Sequence, residues 1–210
     1  MFPVRVPRLA GRAPPWRRRV AFPDRAFIGW VIDTSETTDQ KGKVIAKMEF
    51  FADPREMVAN TSLVQRFLEY VRIDTTSDEH SDSCPSTDRQ FILAELLVEE
   101  LKAMGVSDAA VDENCYVTAT LPGNVDGREV VGLVAHLDTS SAAPGIDVNP
   151  VLHENYDGTS IELADGVVIS VQDNPQLQEC LGDTIITADG TTLLGADDKA
   201  GIATIMSALE

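Results

Sequence analysis

Apolar residues change their spacing several times along this 210-residue chain, and each change marks an element. In NTSLVQRFLEYVRID, Leu63, Val64, Phe67, Leu68 and Val71 fall on one helical face behind an Asn60-Thr61-Ser62 cap, which predicts a first helix. A polar loop, TTSDEHSDSCPS, follows it. Thr87 with Gln90 three residues later has the pattern of a capping box, in which two side chains satisfy orphan backbone N–H groups at a helix start. It opens a second helix with Leu93, Leu96, Leu97, Leu101 and Met104 as its buried stripe. Gly105, free of a Cβ, closes it.

Beyond Gly105 the period shortens towards two. AAVDENCYVTATLPG predicts two short strands around Asp112, Glu113 and Asn114, stopped by Pro122 and Gly123. The run EVVGLVAHL, from Glu129 to Leu137, is too continuously apolar for a strand with one wet face. It is expected as a central strand covered on both sides. Residues 145–183 are loop-rich with short apolar runs, and TIITADGTTLLGADD predicts a hairpin turning at Asp189 and Gly190. KAGIATIMSALE then places Ile202, Ile205, Met206 and Leu209 at helical spacing. Helices alternating with apolar strands predict an α/β fold with a mostly parallel sheet, where chemistry gathers at the carboxyl ends of strands.

Charge divides the chain in two. Residues 1–56 hold 11 Lys and Arg against 7 Asp and Glu, and residues 57–210 hold 6 against 27, so a basic extension precedes a strongly acidic body. The extension mixes Arg, Pro, Ala and Gly without a sustained period and is expected to be poorly packed and dispensable. Its Arg17-Arg18-Arg19 run leaves three readings open: a disordered extension, a targeting signal, or a start assigned upstream of a natural Met57. The acidic body repels phosphate backbones and anionic lipid, which argues against nucleic acid or membrane as partner. No stretch approaches 18 uninterrupted apolar residues, and Cys84, Cys115 and Cys180 form neither a disulfide framework nor a close-spaced zinc cluster. A soluble protein of a reducing compartment is expected, with Cys115 in the core and no chemistry at the other two cysteines.

Two constellations carry candidate chemistry. His136 and Asp138 lie two apart where the apolar run ends, so both point to one side of an extended chain, and a carboxylate beside an imidazole makes the other ring nitrogen a better metal ligand. Taken alone, such a pair is more simply a strand end without function. Asp197 and Asp198 sit in the small-residue turn GADDKAG before a helix, where acids ordinarily cap the helix and meet its dipole. Together, at strand ends of one expected sheet, the two sites offer an imidazole and a bridging-capable carboxylate. That is half of a binuclear zinc site. His80 in a polar loop and His153 between Leu152 and Glu154 are expected to be solvated.

The stretches RFLEYVRIDTTS, CPSTDRQ, TATLPGNV, GLVAHLDTS, VNPVLHENYDG and DTIITADGTTLLGADDKAGIA, in this order over about 150 residues, carry a resemblance. Residues 57–210 resemble the N-terminal portion of the peptidase T family of tripeptide aminopeptidases, among the di-zinc exopeptidases that include carboxypeptidase G and aminoacylase types. The resemblance implies an α/β/α sandwich, two zinc ions, small peptides as substrates, a cytoplasmic location and a homodimer built through a lid domain. It implies that His136 binds one zinc, that Asp138 supports it, and that Asp197 bridges both metals, while Asp198 has no direct ligand role. The family's glutamate pair, its remaining Asp and His ligands and its lid have no counterpart in this sequence. The resemblance therefore implies a truncated copy, inactive alone; the alternative is a non-catalytic fragment or interaction module derived from such an enzyme.

Overall fold

The computed structural model describes residues 54–123 and 129–210, with short strand segments earlier in the chain: β1 (Val4–Arg5), β2 (Thr37–Thr38) and β3 (Val44–Ala46). The low-order extension expected over residues 1–56 lies almost wholly outside the described residues. Helix α1 (Pro54–Asn60) precedes α2 (Leu63–Tyr70), the first helix of the sequence pattern, and α3 (Gln90–Ala103) is the second. The capping box of α3 does not close as expected. Thr87 donates its hydroxyl to the Thr76 carbonyl at 2.8 Å, and Gln90 Nε2 reaches Thr87 Oγ1 at 3.3 Å instead of an orphan backbone group. Gly105 ends the helix at φ +93°, as its lack of a Cβ allows.

Strands β4 (Ala110–Val111) and β5 (Val117–Thr118) are the two short strands expected and pair antiparallel, with Cys115 buried in the turn between them at φ +65°. Further on come β6 (Pro150–His153), the β7 (Ile161–Glu162) and β8 (Val168–Ile169) pair, β9 (Ile185–Ala188) and α4 (Ala196–Ala208). The remaining cysteines differ in setting: Cys84 is exposed, and Cys180 is buried at the end of a short 3₁₀ turn.

The core draws on the helix faces that the spacing predicted, joined by Tyr70 and Ala203, which it did not mark. Phe67 and Tyr70 from α2 with Val71 just beyond it, Leu93, Leu97 and Leu101 from α3, and Ile202, Ala203 and Met206 from α4 form one cluster with Ile186 and Ala188 of β9. Alternation along β9 sends Ile185 the other way, into a second cluster with Tyr156, Ile161, Ile169, Leu177 and Cys180. All four residues of β9 are buried, so β9 is the strand covered on both faces.

Three sequence expectations need correction. First, the sheet is not mostly parallel among the described residues: β9 pairs antiparallel with β6 and with β1, and parallel pairing is confined to an isolated bridge between Thr76 and Thr139. The connection from β6 to β9 is a loop-rich excursion through the β7–β8 pair, without the crossover helix that a parallel pair needs. Second, the hairpin at Asp189-Gly190 does not form, because β9 takes β6 as its partner. Asp189 Oδ1 instead accepts from the Thr191 N–H and hydroxyl at 2.9 and 2.7 Å, which stops the strand in a tight turn. Third, residues 129–137 join no ladder. Leu133, Ala135 and Leu137 are half-buried, the latter two against the main core, while Val130 is 98% and Val134 85% exposed. An apolar run becomes a central strand only when neighbours satisfy both of its backbone edges, and here one face alone is covered.

Candidate functional site

The site forms where two tightly held turns meet. On one side, the chain leaving the 129–137 run is fixed at buried Thr139: its N–H donates to the Thr75 carbonyl at 3.1 Å, and its carbonyl accepts from the Ser77 N–H at 2.9 Å. That anchors Asp138 and His136 just upstream. On the other side, Gly195 at φ +72° turns the chain into α4 so close to Thr139 that an added Cβ would lie 3.1 Å from its Cγ2. The turn continues through Asp197 and Asp198, which are joined by a cis peptide bond and both lie off helical φ/ψ.

The two acids then diverge. Asp198 Oδ1 accepts from the Gly201 N–H at 3.1 Å, and a Cβ on residue 201 would collide with that carboxylate. The capping role expected of acids at a helix start thus belongs to Asp198. Asp197, 95% exposed at its side chain, reaches across to the other turn.

His136 is held between two carboxylates. Its Nε2 lies 2.9 Å from Asp197 Oδ1, and its Nδ1 lies 3.2 Å from Asp138 Oδ1 and 3.0 Å from the Asp138 carbonyl. Partial burial lowers the pKa of the imidazole, but the bond to Asp197, the Asp138 backbone contact and the charges of both acids outweigh it and hold the pKa above its ordinary value. The structure thus brings together the three residues that the sequence singled out. His136 and Asp197 are 61 positions apart in the chain.

An imidazole nitrogen and a carboxylate oxygen, both open to solvent, are the donor types zinc takes, with Asp138 on the second ring nitrogen to fix the tautomer. The fit extends to donor type and to the outer partner, not to donor number. Among the described residues no group of three or more His, Cys, Asp or Glu side chains is arranged to hold a metal ion.

The other histidines take no part. His80 is exposed beside Glu79 as expected. His153 departs from the expectation of solvation: it lies on β6 with Nε2 3.0 Å from Thr187 Oγ1 of β9, and burial lowers its pKa. Sequence reasoning missed two features. Lys199, following the acid pair, is 2% exposed, and burial pushes its pKa down to about 8 against the opposing charge of Asp74. Asp74 pairs with Arg89 at 2.6 Å beside an open cavity of about 370 Å³ lined by Thr76 and residues 141–146, which excludes His136 and Asp197. A lysine at the first turn of a helix reads as solvated in any sequence pattern, and only its proximity to GADD marks it.

No family model matches the chain. A peptidase T of Alkaliphilus oremlandii is 56% identical over 154 residues, which is 71% of this chain and 38% of that protein. The peptidase T of Brevibacillus brevis is 51% identical over 154 residues, covering 71% and 37%, and that of Geobacillus kaustophilus is 51% identical over 150 residues, covering 70% and 36%. The crystal structure of a tripeptidase from Staphylococcus aureus matches at a TM-score of 0.39 with 25% identity, over 70% of this chain and 30% of that one. The chain spans less than two fifths of the length of the curated relatives it matches. Over the matched stretch, about seven tenths of its length, the chain is a homologue of peptidase T proteins.

Proposed function

We propose that this chain carries the first part of the catalytic site of a zinc-dependent aminopeptidase, one that releases the N-terminal residue from tripeptides. The observation that supports it most is the 2.9 Å approach of His136 Nε2 to Asp197 Oδ1 from turns far apart in a chain related to peptidase T. His136 and Asp197 would be zinc ligands and Asp138 the residue that acts through His136. Bound zinc would supply a polarised carbonyl and a water ionised near neutral pH. With zinc bound, Asp138 would accept the Nδ1 proton and leave the Nε2 lone pair to the metal. Asp197, free of any capping duty because Asp198 performs it, offers a carboxylate with lone pairs for more than one cation.

Two donors fall short of the three protein ligands a catalytic zinc takes, so the 210-residue chain is proposed to be inactive by itself. In a full-length member of the family, an α/β/α sandwich would carry the site, and a lid domain would recognise substrate and support a homodimer. A cytoplasmic location, with neither nucleic acid nor membrane as partner, belongs to the same reading; no helix among the described residues is long and apolar enough to cross a membrane. The test is an assay of the purified chain with zinc against a free-amino tripeptide, alone and with the remaining peptidase T sequence added as a second polypeptide. Metal-dependent turnover is expected only in the mixture, and abolished there by Asp197→Ala. Turnover by the chain alone, or turnover in the mixture that survives Asp197→Ala, contradicts the proposal.

A further inference from the structure

We infer that Lys199 is a positioning residue for the His136–Asp197 pair, its buried ammonium tying the turn that carries Asp197 to the segment that anchors His136. This rests on the reading of His136 and Asp197 as one site and adds to it the device that sets their separation. Lysine is almost never fully buried unless paired, because its charge loses hydration. Lys199 is 2% exposed, and its neighbours include Val71, Val148, Leu194 and Gly195. What compensates is narrow: Nζ donates to the Ile73 carbonyl at 2.5 Å, and the Asp74 carboxylate supplies the opposing charge.

The direction of that bond matters. Ile73 begins the segment whose Thr75 carbonyl and Ser77 N–H grip Thr139, the residue following Asp138. Asp74 is itself fixed at Oδ1 by the Thr76 N–H at 3.0 Å and hydroxyl at 2.6 Å, and at Oδ2 by Arg89 at 2.6 Å, so the segment is a rigid anchor. Lys199 lies two residues beyond Asp197. One side chain therefore joins the two turns, next to the close approach of Gly195 to Thr139. Van der Waals contact at Gly195 limits how close the turns come, and the directed bond to Ile73 stops them parting.

The experiment uses the full 210-residue chain without metal, as parent and as Lys199→Met, Lys199→Gln and Asp197→Ala. Long-range ¹H–¹⁵N spectra of the His136 ring, at one pH for all four, report whether Nε2 still faces a carboxylate. Methionine keeps the apolar stem but lacks the terminal donor; glutamine, one atom shorter than lysine, donates to a carbonyl without charge. The His136 nitrogen signals of Lys199→Met are expected at the positions seen in Asp197→Ala, and those of Lys199→Gln near the parent's. Unmoved signals in Lys199→Met overturn the proposal, as do signals displaced equally in both variants, which would mark a packing effect. Should Lys199→Met fail to fold, Lys199→Gln decides: parent-like signals support the proposal and displaced ones overturn it. A zinc titration of the parent, read separately by calorimetry, tests the metal reading alone, so the two can fail independently. If the parent binds zinc, Lys199→Met is expected to bind it at least tenfold more weakly.

Discussion

Asp198 spends its carboxylate on the Gly201 amide, whereas Asp197 is exposed and faces His136, so two identical adjacent side chains carry separate roles. Asp198→Ala should cost about 1 kcal/mol as a lost helix cap, measured by urea unfolding, and leave metal binding as it was. Gly195→Ala should cost about 1–2 kcal/mol in the same measurement, because residue 195 sits at φ +72° and its new Cβ would press on Thr139. A loss below about 0.5 kcal/mol for Gly195→Ala would show that the turn relaxes.

Asp74 has its own signature in pH. Burial raises its pKa, but the bonds from Thr76 and Arg89 outweigh that and bring it below its ordinary 3.8. A carboxyl held low in the folded state stabilises above its unfolded pKa and loses that contribution as pH falls through the folded one. Unfolding midpoints measured from pH 5 downward should therefore fall less steeply for Asp74→Asn than for the parent; parallel slopes would remove Asp74 from the account.

At the scale of elements, β9 and the 129–137 run exchange the roles that their composition suggests. Ile186 of β9 is buried in the same core cluster as residues of α2, α3 and α4, and Ile186→Ala should cost about 2–5 kcal/mol through the cavity it leaves. Val134, in the more apolar stretch, is mostly exposed, and Val134→Thr should stay within about 0.5 kcal/mol of the parent. Equal losses at the two positions would restore the central-strand reading of 129–137. The helices were legible because their information is local: Leu93, Leu97 and Leu101 reveal a buried face by spacing alone. Strand pairing was not, since β9 finds β6 more than thirty residues upstream and TIITADGTT contains nothing that names Pro150–His153. The candidate residues His136, Asp138 and Asp197 could be picked out by type and motif, and the fold places them side by side. The burial of Lys199 and the reason for Gly201 were not, because both depend on atoms brought in by the fold.

Across the whole molecule, Arg66 holds the three core helices at one point: it pairs with Glu100 of α3 and with Glu210 beyond α4 at 3.1 Å, and donates to Tyr70 at 3.2 Å. The two turns of the site bring His136 Nε2 and Asp197 Oδ1 to 2.9 Å as the proposed ligands for one metal. His136 has its pKa raised above 6.5, so without metal its pairing stabilises the fold fully below the unfolded pKa, and that contribution is lost as pH rises through the folded one. A metal competes with the proton for Nε2 and must therefore bind more tightly as pH rises. Calorimetric zinc titration of the 210-residue chain at pH 6 and pH 8, beside His136→Ala, Asp197→Ala and Asp198→Ala, tests this most directly. Binding is expected to be stronger at pH 8, lost in the first two variants and retained in the third; zinc binding that is the same in all four proteins would contradict the assignment of His136 and Asp197 as ligands.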